Sequence, residues 1–299
     1  MSHPEAVSLL IYLETGRVVE PLPTMTEPLP TQTTAATEPA PEGLLFHVED
    51  AALVQVSNFS NYVIDVPALL TTQLQWDLKE NGPKVLILHS HATESYTQTE
   101  QFSYQPSSAY RTLDTERNMV CVGQALKEAL EQRGINVIHD TTLHDYPSYN
   151  DAYIQSRETV QHWLAQYPSI EFVIDLHRDA AGDSASKQLS TATVIDGTET
   201  AQLMMVVGSN AGGRLHPNWK ANFSLAAKLH AQLEKRFPGI CRPISFRTER
   251  FNQDLSAGAL IIEIGGAGDT LEEALVAVSF LAEGISDLAL GTITADSTS

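Results

Sequence analysis

Residues 84–94, Lys84-Val-Leu-Ile-Leu-His-Ser-His-Ala-Thr-Glu94, constrain this chain more than any other stretch, because four apolar residues run directly into two histidines and a carboxylate. The run 85–88 predicts a short strand buried on both faces, of the kind that sits mid-sheet in an α/β domain. Such a strand delivers the residues after it to the carboxyl edge of the sheet, where open α/β folds keep their ligands. Here those residues carry imidazole and carboxylate. Zinc accepts neutral imidazole nitrogen and carboxylate oxygen, and catalytic sites use three protein ligands with a fourth position open, so a His-x-x-Glu turn supplies two of them.

A second strand repeats the design: Ile170-Glu-Phe-Val-Ile-Asp-Leu-His-Arg-Asp179 is an apolar run ending in Asp175, His177, Arg178 and Asp179. A third, Ala259-Leu-Ile-Ile-Glu-Ile-Gly265, places Glu263 inside an otherwise apolar run, where an unpaired carboxylate would be costly. These residues predict a metal site built from the His89, His91, Glu94 cluster together with His177. Spacing pairs His91 with Glu94 but does not decide between His89 and His91 as ligand; the other would support the site or touch substrate. Asp175 is placed to orient His177. Arg178 either pairs with Asp179 or holds a substrate carboxylate or an oxyanion. Glu263 is either a buried salt-bridge partner, Arg178 being the candidate, or a general base for water, with apolar flanks that raise its pKa. Tyr146, Tyr149 and Tyr153 form a loop-to-helix aromatic group, read as core packing or as a platform for a sugar or peptide.

Other chemistries lack their signatures. The chain has no Gly-x-Ser-x-Gly elbow, no Gly-x-x-x-x-Gly-Lys phosphate loop and no Gly-x-Gly-x-x-Gly fingerprint. Cys121 falls in a predicted helix and reads as packing, and two cysteines, Cys121 and Cys241, make neither a disulfide framework nor a zinc knuckle. A formal charge of -19 repels phosphate backbones and anionic lipid, which excludes nucleic acid as a partner.

Pro21, Pro23, Pro28, Pro30, Pro39 and Pro41 lie among threonines and alanines, a composition that cannot bury a core. Residues 1–43 are therefore expected to be a peripheral segment and linker, 44–290 the folded domain with an N-terminal elaboration over 44–82, and 291–299 a fraying tail. No apolar run approaches the length of a membrane span, and neither an anchor nor an export signal is visible. Within the domain the pattern predicts helices over 69–78, 115–133, 151–166, 219–236 and 270–287, with Asp269 and Glu272 as N-cap and capping-box partner of the last. Strands are expected near 85–88, 135–138, 170–176, 191–195, 202–208, 242–247 and 259–264, with a long polar loop over 95–113 as an active-site wall. Alternating strands and helices imply an α/β fold, a mixed, mainly parallel sheet covered on both faces.

Taken in order, His89-Ser-His-Ala-Thr-Glu-Ser-Tyr96, Asn118-Met-Val-Cys-Val-Gly123, His139-Asp-Thr-Thr-Leu-His-Asp-Tyr-Pro-Ser-Tyr149, Asp175-Leu-His-Arg-Asp179, His216-Pro-Asn-Trp219, Phe251-Asn-Gln-Asp-Leu-Ser256 and Glu263-Ile-Gly-Gly266 with Thr270-Leu-Glu-Glu-Ala274 resemble the stage II sporulation protein P family of cell-wall hydrolases. The resemblance covers about 44–290. It implies the phosphorylase/hydrolase-like fold of muramoyl amidases and zinc carboxypeptidases, and a zinc-dependent N-acetylmuramoyl-L-alanine amidase with peptide-crosslink endopeptidase activity. It further implies action on peptidoglycan outside the cytoplasmic membrane during engulfment, beside a lytic transglycosylase partner, and a membrane anchor ahead of the linker, of which this chain shows the linker alone. By the same resemblance His91, Glu94 and His177 bind Zn2+ and Glu263 activates water. Other muramoyl amidases take their carboxylate ligand from the start of the first helix, where Glu116 lies; the His91-x-x-Glu94 spacing is that of zinc carboxypeptidases and favours Glu94.

Overall fold

The structure, a computed structural model, describes residues 46–72, 74, 82–180, 182–184 and 187–290. The segment expected as a linker, the tail 291–299 and the second half of the helix expected over 69–78 lie outside those residues. In chain order the elements are β1 (Val56–Asn58), α1 (Val66–Thr71), β2 (Val85–Leu88), α2 (Met119–Glu131), β3 (Val137–His139), α3 (Ala152–Gln166), β4 (Phe172–Asp179), β5 (Gly182–Ser184), β6 (Lys187–Gln188), β7 (Ala192–Ile195), β8 (Thr198–Ala201), β9 (Leu203–Val207), α4 (Trp219–Arg236), β10 (Ile244–Phe246), β11 (Ala259–Gly266) and α5 (Leu271–Leu290).

Seven strands form one sheet in the order β1-β10-β9-β11-β4-β2-β3. Neighbours run parallel except β11 and β9, which are antiparallel, so the sheet is mixed and mainly parallel. Side chains alternate between the faces along each strand. On one face Val85, Ile87, Ile174, Leu176, Leu260, Ile262 and Ile264 join residues of α2, α4 and α5 in the main core. On the other, Leu86, Leu88, Val173 and Ala259 pack with Val160 of α3 in a smaller cluster. Asp175, His177 and Glu263 alternate onto this second, more thinly covered face, and the carboxyl ends of β2, β4 and β11 meet at one edge of the sheet.

Several boundaries differ from expectation for identifiable reasons. Helix α2 starts at Met119 rather than 115, because the Asn118 side chain accepts from the Val120 N–H and caps the helix there. The last helix is capped by Thr270 and Glu273, not Asp269 and Glu272: Thr270 N donates to Glu273 Oε2 at 2.7 Å and Glu273 N to Thr270 Oγ1 at 3.2 Å. Asp269 instead accepts from Gly266 N, Ser190 Oγ and Thr191 N, pinning the loop before β7, and Glu272 accepts from Thr99 Oγ1. Strand β8 has no counterpart among the expected strands; it pairs with β7 through Asp196 and Gly197, both at positive φ, the Asp-Gly signal of a tight hairpin turn. The stretch expected as an elaboration contributes the three-residue strand β1, which pairs with β10 at the edge of the sheet. The helix expected from residue 69 begins at Val66 behind an Asp65 cap with Pro67 in its first turn, and its Leu69 carbonyl accepts from Ser224 Oγ and Lys228 Nζ of α4.

Helix α2 approaches β2 and β3 closely at Gly123, where an added Cβ would stand 2.5 Å from His139 Nε2 and 2.6 Å from His89 Nε2. Gly123→Ala should therefore lower stability by about 1–3 kcal/mol despite the better helix propensity of alanine, read as a reduced unfolding midpoint. Burial, reinforced by their proximity, lowers His89 to about 3, and burial lowers His139 to about 4; burial also lowers His216 to about 4 and lowers His230. Unfolding lets all four take up protons near pH 6.5, so the stability they carry is present above that pH and lost as pH falls toward 4. A denaturant titration between pH 7 and about 4 should show the decline, and a His139→Gln variant a shallower one.

Candidate functional site

At the edge where β2 and β4 end, the turn after β2 folds back so that Glu94 meets His177: Glu94 Oε2 lies 3.3 Å from His177 Nδ1. The far side of the same ring is held by β4 and by Ser90 in the turn after β2. His177 Nε2 is 2.9 Å from Asp175 Oδ1 and 2.9 Å from Ser90 Oγ, while Ser90 donates N–H and O–H to the two oxygens of Asp175, each at 2.7 Å. All four residues are buried. Burial would push the Asp175 carboxyl up, but the His177 charge and the hydrogen bonds from His177 and Ser90 outweigh it and hold it at about 2. Burial opposes charge on His177, yet Asp175 and then Glu94 keep the imidazole protonated well above its ordinary range.

The second oxygen of Glu94 faces cations. Arg111 Nη2 lies 3.0 Å and Arg178 Nη1 3.5 Å from Glu94 Oε1. Burial alone would raise Glu94, but Arg178, then His177 and Arg111, hold it well below the usual carboxylate range. Arg111 is itself oriented by Asp145, whose Oδ2 accepts at 2.7 Å and also takes the Thr93 hydroxyl. Its guanidinium lies 4.7 Å above the Tyr149 ring, and Tyr149 stacks on His91 with centroids 4.4 Å apart. The His91 ring stands 5.4 Å from that of His177, edge to face.

Two of the expected donors, Glu94 and His177, stand at a spacing that fits zinc. Nitrogen and oxygen ligands about 2.0–2.2 Å from a tetrahedral ion stand about 3.3–3.6 Å apart, and the His177 Nδ1 to Glu94 Oε2 separation of 3.3 Å is of that size. A carboxylate on the opposite ring nitrogen, as Asp175 is, would keep the proton on Nε2 and leave Nδ1 to a metal that displaces its proton. Among the described residues no three His, Cys, Asp or Glu groups stand in a ready coordination arrangement; the His91 ring lies flat against Tyr149.

The structure thus brings together His91, Glu94 and His177, and sets Glu263 beside His177 as its register partner on β11. It separates others. His89 turns away: its Nδ1 donates to the Leu176 carbonyl at 2.8 Å, and its Nε2 meets His139 Nε2 at 2.9 Å. Glu116 is exposed, its side chain beside Arg117. Arg178 alternates to the other side of β4 from His177 and donates to the Ser95 and Tyr110 carbonyls, so it does not pair with Asp179, which binds Arg242 at 2.7 Å. Sequence reasoning misses Ser90, Arg111 and Asp145. Ser90 lies between the two histidines of the first cluster, and Asp145 lies within the motif 139–149; Arg111 carries no local signal, because its partners are 17 and 34 residues away. Arg111→Ala leaves the fully buried Asp145 carboxylate without its cation and should destabilise the fold by about 3 kcal/mol, whereas Arg111→Lys should restore part of it in a thermal melt.

The sequence profile of the family described as stage II sporulation protein P (SpoIIP) matches residues 29–286. Stage II sporulation protein P of Bacillus subtilis (strain 168) is 31% identical over 215 residues, covering 68% of this chain and 50% of the relative, so the chain spans about half of that protein's length. Among solved structures, the N-acetylmuramoyl-L-alanine amidase AmiC2 of Nostoc punctiforme is similar with a TM-score of 0.39 and 12% identity, over 71% of this chain and 97% of that one. The CwlD amidase from Clostridioides difficile, solved in complex with the GerS lipoprotein, is similar with a TM-score of 0.42 and 11% identity, over 70% and 95%. With a profile match across most of its length and a relative of this identity, the chain belongs to the stage II sporulation protein P family.

Proposed function

We propose that this chain is a zinc-dependent peptidoglycan hydrolase that cuts the amide between the lactyl group of N-acetylmuramic acid and the L-alanine of the stem peptide, with peptide crosslinks as further substrates. The observation that carries the reading is the Glu94–His177–Asp175 line at the strand ends, with Glu263 in register beside it, in a chain of this family. His91, Glu94 and His177 would hold the ion, which when bound supplies Lewis acidity to the amide carbonyl and to the attacking water. Glu263 takes a proton from water on its carboxylate and returns it to the alanine nitrogen as the amide breaks. Asp175 and Ser90 keep His177 oriented through Nε2. Arg178 and Arg111 keep Glu94 ionised and aimed, so Arg178 acts on the ligand carboxylate rather than on substrate.

The setting in this proposal is wall remodelling of the sporulation type, outside the cytoplasmic membrane, beside a lytic transglycosylase that cuts the glycan. No helix among the described residues is long and apolar enough to cross a membrane. Incubated with peptidoglycan and zinc, the protein should release stem peptides that begin with L-alanine, identified by mass, and chelator should stop the release. Glu263→Gln should slow release by roughly 10²–10⁴-fold while zinc affinity, read by calorimetry, is retained. His177→Ala should lose both release and zinc affinity. Glycan-linked stems left intact by zinc-loaded protein would overturn the reaction proposed.

A further inference from the structure

A line of rings leads away from the centre. Tyr153, in the first turn of α3, meets His91 edge to face at 5.5 Å, and Phe251, in the loop between β10 and β11, stands 5.9 Å beyond Tyr153 with its ring tilted by 41°. Both are half-buried. Phe251 has φ +52°, a left-handed conformation that is costly for a bulky side chain. Among the described residues the other non-glycine positions with positive φ are Asp196, in the β7–β8 turn, and Tyr110, whose carbonyl accepts from Arg178 at this same site.

The strain at Phe251 is held by the residues after it. Asn252 Nδ2 donates to Tyr153 O at 2.9 Å and to Ser156 Oγ at 3.0 Å. Gln253 accepts from Gly208 N at 2.7 Å and donates to Val206 O at 2.8 Å. Asp254 takes both terminal nitrogens of Arg157 at 2.8 Å. A loop fastened to α3 and β9 by three successive side chains is built to keep one ring in one place, and over-determined backbone of this kind concentrates at binding sites. Asn252 and Asp254, the polar side chains that follow Phe251 on either side of Gln253, are both engaged within the protein, Asp254 by Arg157 and Arg250. The face of an aromatic ring held in this way suits the C–H face of a pyranose.

We propose that Phe251 and Tyr153 form a glycan subsite that seats a neutral sugar ring of the polymer beside the amide-cleaving centre, with Phe251 held left-handed to present its ring. The inference rests on the hydrolase reading for the identity of the polymer. Phe251→Gly removes the ring but supplies the residue that adopts φ near +50° at no steric cost, and Phe251→Tyr keeps the ring.

Binding would be measured in chelator, on glycan strands freed of stem peptides, and separately on free stem peptide. The wild-type protein should bind the bare glycan; Phe251→Gly should weaken binding roughly 3- to 10-fold without a lower unfolding midpoint, and Phe251→Tyr should bind as wild type. On intact peptidoglycan with zinc, Phe251→Gly should raise KM by a similar factor and leave kcat unchanged. Wild-type affinity in Phe251→Gly, a loss that only tracks a fall in midpoint, or binding of stem peptide but not bare glycan would each overturn the subsite. If glycan binding depends on Phe251 while zinc-loaded protein cuts no amide, the subsite stands and the hydrolase reading fails.

Discussion

The buried carboxylate of Glu94 is the interaction on which the rest of the site depends. A charge at this depth is tolerable only when both oxygens are compensated. One oxygen meets the imidazole of His177, and the other meets Arg111 and Arg178, which brings the turn after β2, the end of β4 and the loop 95–113 to a single point. The backbone at the same residue carries a further fastening, because the Glu94 carbonyl accepts from Met119 N at the start of α2. The side chain that would bind a metal is therefore also the one that holds the turn, the loop and the first long helix together.

Placement of the site follows from unequal cover on the two faces of the sheet. Three helices bury one face; the other has α3 and the strap 247–258. Asp175, His177 and Glu263 emerge on the thinner side, and the residues leading into α3 bring Tyr149 and Tyr153 to His91 there. A parallel sheet buried equally on both sides would leave its strand ends as the sole opening. Here the thinner face carries Asp175, His177 and Glu263 beneath α3 and the strap, close to the strand ends.

Legibility in the sequence is uneven in a way that tracks the range of the interactions. The strand 85–88 and the helix 219–236 are readable to the residue, because an apolar run or a repeat of period near 3.6 is a local signal. Helix starts are missed where several candidate caps lie within a few residues, and only the three-dimensional demand on Asp269 and Glu272 leaves Thr270 and Glu273 to cap α5. Strand β1 is three residues long and owes its existence to β10, nearly two hundred residues away. The alternation of Val54 and Val56 marks a strand there, but no pattern in so short a stretch names its partner.

The sequence by itself determined which donors exist and that strands would carry them to one edge: His89, His91, Glu94, His177 and Glu263 each follow or interrupt an apolar run that burial obliges to become a strand. Only the tertiary structure decided among them. Alternation along β4 sends His177 and Arg178 to opposite sides, so Arg178 turns to Glu94 and two carbonyls. Register between β4 and β11 sets Glu263 beside His177, and the ring of His89 is taken by Leu176 and His139. Residue type and strand propensity are properties of a short window, whereas the nitrogen a carboxylate faces depends on register and on side chains far apart in the chain, which packing alone brings within hydrogen-bonding distance.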